Sequence, residues 1–231
     1  MHANSLLLAA LVFAHPAVMP AADAPHNTLT EAEKRAGWKL LFDGKSLANW
    51  RGIKKPGPPE SGWEIKDGAL TCVKGGKGGN LLSVETYEQF EFAWEWKMPP
   101  RSNNGVKYFF SEATGVGHEY QLLDDVLTKD TLSSCASFYL IVAPDPEKKK
   151  LKPWGEWNSS RILVKGNHVE HWLNGEKVVE YDCGDPQILE RVSRSKFKNA
   201  AGFGTRRRGH LLLTYHSDEC SFRNVKVREI Q

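Results

Sequence analysis

Apolar and polar residues alternate over many short stretches of the chain, most clearly in "FEFAWEWKM", residues 90–98. Large apolar side chains occupy every second position of this stretch, and Glu91, Ala93, Glu95 and Lys97 occupy the positions between them. Successive side chains of a β-strand point to opposite faces of its sheet. The pattern therefore predicts a strand with one face in the core.

Turn signals separate these stretches at short intervals. Asp67-Gly68 in "WEIKDGALTCV" and Asn174-Gly175 in "HVEHWLNGEKVVEYD" predict hairpins with two-residue turns. Further strands are predicted in "NGVKYFF", "HEYQLLD", "SFYLIV", "SRILVKG", "GHLLLTYH" and "SFRNVKVREI", and a short helix in "PQILERVSRSKF". Many short strands with regular turns predict an all-β fold, a two-sheet antiparallel β-sandwich of the jelly-roll type.

Composition fits one globular domain. The chain has 231 residues, of which 26% are charged and 40% hydrophobic, and its net charge is +3. The basic runs at 147–150 and 206–208 are short, so we interpret them as solvated loops and expect no nucleic-acid partner. Four cysteines are a sparse disulfide framework for a domain of this size, and free buried thiols are expected. They are Cys72, Cys135, Cys183 and Cys220.

The N-terminus has the pattern of an export signal. An apolar run from Leu6 to Ala14 is followed by Pro16, Pro20 and a group of small residues. A membrane span needs about 20 apolar residues, so this shorter run predicts a signal peptide, cleaved near residue 22. We therefore expect export to the periplasm or beyond, a mature domain over residues 36–230, and no integral membrane segment after cleavage.

Several common functional patterns are missing from the sequence. The "KGGKGG" stretch at 74–79 does not have phosphate-loop spacing and is interpreted as a flexible turn. The histidines have no zinc-type spacing, and there is no G-x-S-x-G nucleophile motif.

The stretch "GHEYQLLDD", residues 117–125, places acids and an amide on an otherwise apolar strand. Tyr120 and Leu122 can enter a core, which leaves Glu119 and Gln121 on the opposite face. Planar acceptors for hydroxyls and aromatic planes for ring faces are the residue types that bind sugars. Further candidates for the site are Glu95, Asp124, Trp154 and Trp172, together with the cation Lys107.

The order of several motifs resembles the 3-keto-disaccharide hydrolase family. They include "GWKLLFDGKSLANWRG", "YEQFEFAWEWKMPPRSNNGVKYFF", "GHEYQLLDD", "KPWGEWNSSRILVKGNHVEHWLNGEKVVEY" and "FRNVKVREI". The resemblance covers about residues 36–230. It implies a fold similar to concanavalin A-like lectins and glucanases, with a sugar site on a concave face, in a largely bacterial and exported family. Where relatives tend to have Asp-His-Gly, this chain has Tyr215, His216 and Ser217.

The spacing of acids on the "EFAWE" strand argues against an ordinary glycosidase. Glu91 and Glu95 lie four strand positions apart, roughly 13 Å at about 3.3 Å per residue. Retaining enzymes separate their two carboxylates by ~5 to 5.5 Å and inverting enzymes by ~6.5 to 9.5 Å. Glu95 could still pair with Glu119 across strands.

A 3-keto sugar allows different chemistry, because its ketone acidifies the proton on C2. Elimination across C1 and C2, followed by addition of water, needs a base, a group that stabilises the enediolate and an acid. We expect His216, Lys107 and Glu119 to be catalytic, and Glu95, Gln121, Asp124, Trp154 and Trp172 to bind a small carbohydrate substrate. The sequence indicates no specific cofactor, although a divalent metal held by Glu119 and Asp124 could replace Lys107.

Structural interpretations of the same residues remain open. Lys107 and Glu95 could form a surface ion pair, and His216 could be a hydrogen-bonded structural histidine. His171 shares a face with Val169 and Leu173, which favours a packed core histidine. On these interpretations the chain is a non-catalytic sugar-binding module with the same fold.

Overall fold

Two antiparallel sheets enclose the core in the computed structural model, which describes residues 25–230. The eight-stranded sheet contains β1 (Lys39–Leu40), β3 (Trp63–Lys66), β4 (Ala69–Cys72), β6 (Phe90–Lys97), β9 (Asn158–Lys165), β10 (His168–Leu173), β11 (Glu176–Asp182) and β13 (Cys220–Glu229). The five-stranded sheet contains β2 (Trp50–Arg51), β5 (Leu81–Tyr87), β7 (Asn103–Ser111), β8 (Val116–Leu123) and β12 (Gly209–Leu213). The predicted two-sheet antiparallel sandwich is confirmed.

The order of strands decides which residues become neighbours. The larger sheet runs β11-β10-β9-β6-β13-β4-β3, with β1 also paired to β13. The smaller sheet runs β2-β5-β12-β7-β8, so β8 lies at its edge. Two short helices, α1 (Glu31–Arg35) and α2 (Pro186–Ser193), complete the regular structure together with 3-10 turns at Asp125–Leu127 and Thr131–Ser133.

Local sequence signals account for most of these elements. Asp67 and Asn174 adopt positive φ angles of 50° and 49° ahead of their glycines, as the predicted two-residue hairpin turns require. The predicted helix begins at Pro186, where the Asp185 side chain accepts a hydrogen bond from the amide of Gln187.

The predicted strand "SFYLIV" is wrong. Residues 137–142 form only isolated bridges, Tyr120 with Phe138 and Phe138 with Val142. Ala136 and Leu140 have φ angles of 68° and 66°, which interrupt an extended chain. Phe138 is nevertheless fully buried. A short apolar run has the same pattern whether it is a strand or a buried turn, and here it borders the edge strand β8.

The four thiols are free and buried, as predicted. Burial raises the pKa of Cys72 to about 11 and that of Cys135 to about 12, so both are protonated at neutral pH. Between residues 25 and 230, no helix is long and apolar enough to cross a membrane. The predicted signal peptide lies outside the residues that the structure describes.

A chain of buried side-chain hydrogen bonds connects the two sheets. His118 Nδ1 on β8 lies 2.8 Å from the Tyr181 hydroxyl on β11. That hydroxyl lies 2.7 Å from the Tyr108 hydroxyl on β7, which in turn lies 2.9 Å from His171 Nε2 on β10. Both histidines and Tyr108 are fully buried. These hydrogen bonds therefore connect β7 and β8 to β10 and β11 through the middle of the core.

Main-chain groups at the two ends of this series of hydrogen bonds determine which atom of each pair is the donor. The amide of Gly204 donates to His118 Nε2 at 3.0 Å, so the proton of this neutral ring lies on Nδ1. His171 Nδ1 donates to the carbonyl of Ala136 at 3.0 Å, which leaves its Nε2 as an acceptor. Every donor then has an acceptor. The prediction that His171 is a packed core histidine is confirmed.

Burial keeps both histidines neutral. It lowers the pKa of His171 to about 4 and that of His118 well below its usual range. In the unfolded chain each ring binds a proton near pH 6.5.

We expect the free energy of unfolding to decrease as the pH falls from about 6.5 towards 4. In this window the unfolded chain takes up protons that folded His171 does not bind, and the contribution of this histidine is about 3 kcal/mol. Urea unfolding at pH 7 and pH 4.5 measures the effect. His171→Gln should lower the free energy of unfolding at pH 7. The difference in this free energy between the variant and the original protein should be smaller at pH 4.5. The control His168→Gln alters a half-exposed histidine outside the buried hydrogen bonds; equal narrowing in both variants would contradict the assignment.

Candidate functional site

Lys107 and Glu119 form a shielded ion pair on the outward face of the five-stranded sheet. They are direct partners in the β7–β8 register, with Lys107 Nζ 3.5 Å from Glu119 Oε2. Their neighbours Tyr108 and Tyr120 point into the core, so alternation sends Lys107 and Glu119 outward. The Glu119 side chain is only 9% exposed and that of Lys107 24%. Poor access to water strengthens the attraction between these charges.

A glycine makes room for the Glu119 carboxylate. A Cβ atom at Gly105 would lie 2.3 Å from Glu119 Oε1, so a larger residue would displace the acid. Gln121 lies directly across from Gly105 and donates to Asn103 Oδ1 at 3.4 Å. Glu119 and Gln121 thus lie on one face beside Lys107, as predicted.

His216 is held near this pair by the anchored loop between β12 and β13. The amide of Tyr215 donates to Asn80 Oδ1 at 2.8 Å. On the other side of His216, Asp218 Oδ2 accepts a hydrogen bond from the Asn103 amide at 2.9 Å. Asn103 is the first residue of β7, so this bond brings the loop next to the strand that carries Lys107.

The surroundings of His216 favour a neutral imidazole. The residue is exposed as a whole, but partial burial of its ring lowers the pKa below the usual range. Among the charged groups, Glu119 and Asp218 oppose this shift, and Lys107 and Lys196 add to it. An accessible imidazole that is neutral at pH 7 can accept a proton.

The "KGGKGG" stretch packs against the same loop. A Cβ atom at Gly76 would lie 2.5 Å from the Tyr215 hydroxyl oxygen, and one at Gly78 would lie 2.7 Å from the Tyr215 ring. That hydroxyl donates to the carbonyl of Val73 at 3.2 Å. The predicted turn is present at residues 74–75, and its glycines also allow the ring next to His216 to pack closely.

Tyr139 and Lys196 extend the site beyond the edge of the sheet. The amide of Tyr139 donates to the carbonyl of Glu119 at 3.0 Å, and its neighbour Phe138 points into the core. This main-chain bond places Tyr139 directly beside Glu119 at the edge of β8. Lys196 Nζ is 4.5 Å from the centre of the Tyr139 ring. Neither residue was predicted to belong to the site, because only the bridge between Tyr120 and Phe138 brings this turn to β8.

Glu95 does not belong to this site. It lies on the outward face of the other sheet, because its neighbours Trp94 and Trp96 are buried. Arg223 Nε pairs with its carboxylate at 2.6 Å. The core separates Glu95 from Glu119, so the predicted proximity of the two acids is wrong. Alternation shows which residues share a face of one strand, but it does not show which sheet the strand joins.

One of the two tryptophans predicted to stack on sugar lies elsewhere. Trp172 is on the outward face of the eight-stranded sheet, with the Arg161 guanidinium 4.1 Å from its ring centre. Its position on the side opposite Lys107 contradicts the prediction that it lines the site. Trp154 packs partly buried against the core from the loop before β9, where the neighbouring Gly155 amide bonds to Met98.

Both carboxylate oxygens of Asp124 accept hydrogen bonds from main-chain amides. One carboxylate oxygen accepts from the Arg101 amide at 2.7 Å, and the other accepts from the Val126 amide at 3.2 Å. It is nearly buried and caps the 3-10 turn that follows β8. Five residues at about 3.3 Å each put Asp124 roughly 16 Å along the chain from Glu119. The two acids therefore do not fit a shared metal site.

One cluster in the described range has metal-ligand geometry, and it lies away from the Lys107–Glu119 pair. Ligand atoms of His168, Glu170 and Glu180 lie within 4.8 Å of one another on the eight-stranded sheet. Lys177 Nζ already forms ion pairs with both glutamates, so an ammonium group neutralises the cluster.

The fold is an all-β sandwich, and the outward face of its five-stranded sheet carries a group of titratable side chains. Residues 37–228 match the model of the family described as "3-keto-alpha-glucoside-1,2-lyase-like domain". The chain therefore belongs to this family, and the resemblance inferred from its motifs is confirmed.

Individual relatives agree with this assignment. A protein of Bacteroides thetaiotaomicron named 3-keto-disaccharide hydrolase is 31% identical over 230 residues, covering 83% of this chain and 78% of the relative. A candidate glycosyl hydrolase of Parabacteroides distasonis is 30% identical with a TM-score of 0.79, covering 90% of this chain and 100% of its own. A second structure from that organism is 25% identical, with a TM-score of 0.65 and coverage of 84% and 99%.

We expect Ser217→Gly to stabilise the protein by roughly 0.5 to 1 kcal/mol. Ser217 has a φ of 63°, a left-handed conformation that costs a residue with a Cβ about this much relative to glycine. Thermal and urea unfolding measure the change. Ser217→Ala retains the Cβ and is the matched control. An equal gain in stability in both variants, or a loss of stability in Ser217→Gly, would contradict the assignment of backbone strain to Ser217.

Proposed function

We propose that this protein is an exported carbohydrate-active enzyme that cleaves 3-keto glycosides by elimination across C1 and C2, followed by hydration. The observation that carries the proposal is an accessible His216, favoured as neutral, close to the shielded Lys107–Glu119 pair. The family description and the name of the Bacteroides relative support the substrate class. The apolar run Leu6–Ala14 supports export, which the intact mass of the secreted protein would test.

The first step removes the C2 proton. His216 takes this proton, and the C–H electron pair forms a C2–C3 double bond as the C3 ketone becomes an enediolate oxyanion. The Lys107 ammonium donates a hydrogen bond to this oxygen and offsets its negative charge. Glu119 orients Lys107 and accepts a hydrogen bond from a sugar hydroxyl, and Gln121 holds a second hydroxyl.

The second step expels the group on C1. The C3 carbonyl re-forms, a C1–C2 double bond forms, and the C1–oxygen bond breaks. The His216 imidazolium returns its proton to the departing oxygen, so an alcohol leaves and the histidine is neutral again. Water then adds across the double bond, with its hydroxyl on C1 and its proton on C2, which gives the free 3-keto sugar.

The positions of the other acids support elimination over direct displacement. Glu91 pairs with Arg161 and Arg228, and Glu95 pairs with Arg223, all on the outward face of the opposite sheet. Neither acid can join Glu119 as the second carboxylate of a glycosidase, because the core lies between the sheets.

We expect the protein to cleave a 3-keto glucoside and to leave the parent glucoside essentially uncleaved, because only the ketone acidifies C2. His216→Asn and Lys107→Met should each lower kcat by ~10² to 10⁴-fold for the 3-keto substrate and weaken its binding far less. Release of the alcohol from matched oxidised and unoxidised glucosides is the measurement. Above the pKa of His216 the rate should be constant, and it should fall as the pH drops through that pKa, below the usual histidine range.

His168→Asn is the matched control, because it changes a histidine on the opposite sheet and should keep full activity. Equal cleavage of both glucosides would indicate an ordinary glycosidase. Tight binding of the 3-keto glucoside without cleavage would indicate a sugar-binding module.

A further inference from the structure

An apolar pocket of about 480 Å³ opens beside the proposed site. Its volume falls within the roughly 300 to 1,000 Å³ of small-molecule sites. The side chains that line it are Leu132, Leu140, Ile141, Arg191, Arg194, Ser195 and Lys196. The aliphatic residues form an apolar lining, and the basic residues supply long alkyl stems with charges that can reach water.

Two residues connect this pocket to the site. Tyr139 lies beside Glu119 at the edge of β8, through its amide bond to the Glu119 carbonyl. Lys196, which lines the pocket, lies over the ring of Tyr139 at 4.5 Å. Lys196 is also one of the charged groups that act on His216, so the pocket borders the proposed site.

Hydrogen bonds hold the walls of the pocket in place. The amide of Leu140 donates to the carbonyl of Leu132 at 2.8 Å, and Arg191 Nη1 donates to the carbonyl of Ile141 at 3.3 Å. Leu140 adopts a φ of 66°, a conformation that residues other than glycine rarely adopt. Such conformations are concentrated at binding sites, where the surrounding structure maintains them.

The same face is closed on the side of Lys107 away from Glu119, where Leu212 is its direct partner across β7 and β12. Leu82, Phe110 and Leu212 form a buried apolar cluster there, with Ile53 packed against them. A ligand that extends from the Lys107–Glu119 pair over this face therefore finds open apolar surface on the Lys196 side.

We propose that this pocket binds an apolar aglycone, the group that leaves from C1, and that the preferred substrates are 3-keto glycosides of aryl alcohols. This inference rests on the proposed function. The part of the pocket formed by Leu132, Leu140 and Ile141 has no hydrogen-bonding side chain, so sugar hydroxyls placed there would lose hydrogen bonds to water. An aryl group loses none and gains contact with the Tyr139–Lys196 pair.

The test compares phenyl 3-keto-glucoside with a 3-keto disaccharide. Leu132→Ser and Leu140→Asn make the pocket polar, and asparagine tolerates the positive φ of Leu140. In each variant kcat/KM should fall about 10-fold or more for the phenyl substrate and less than about 2-fold for the disaccharide. Val126→Ser, a matched change at an exposed apolar residue outside the pocket lining, should affect neither substrate. Equal losses for both substrates, or no loss, would overturn the inference.

Direct binding of 2-naphthol, measured by calorimetry, separates this inference from the proposed function. The original protein should bind the probe, and both pocket variants should bind it about 10-fold more weakly. If neither substrate is cleaved but naphthol binds in this way, the proposed reaction is wrong and the apolar site stands. If naphthol does not bind, or binds equally to the variants and the original protein, the pocket assignment is wrong whatever the enzyme cleaves.

Discussion

The buried hydrogen bonds of Tyr108, Tyr181 and the two core histidines fix the register on which the site depends. Tyr108 and His118 are direct partners across β7 and β8, and Lys107 and Glu119 are the next pair. A slip of one residue between these strands would turn every side chain of one strand to the other face. It would also leave buried hydroxyl and imidazole groups without partners, at about 1 to 3 kcal/mol each. The buried hydrogen bonds thus favour the one β7–β8 register that pairs Lys107 with Glu119 on the outward face of the sheet.

The two outward faces use acids differently. On the eight-stranded sheet the acids on β6 lie against arginines, which neutralise them in ion pairs: Glu91 pairs with Arg161 and Arg228, and Glu95 with Arg223. On the five-stranded sheet Glu119 faces one lysine and an accessible histidine, so the charges there can respond to a substrate. This contrast, rather than the number of acids, locates the proposed chemistry.

The sequence predicted the parts of the site that depend on one strand and its neighbour. Alternation correctly placed Glu119 and Gln121 outward, and the hairpin turns and α2 followed from local signals. It could not place Glu95, because sheet membership depends on long-range pairing. Tyr139 and Lys196 were missed for the same reason, since they meet only after the turn near Phe138 bridges to β8. Asp124 has the residue type of a ligand, but its oxygens cap backbone amides.

Hydrolysis of a 3-keto glucoside in D₂O tests the central claim most directly. Elimination and hydration break the C2–H bond and rebuild it from solvent, so each product molecule should carry deuterium at C2. The product must be analysed at once and compared with a sample without enzyme, because the ketone also allows slow uncatalysed exchange. Product that retains its original hydrogen at C2 would show that C1 was attacked directly and would contradict the account.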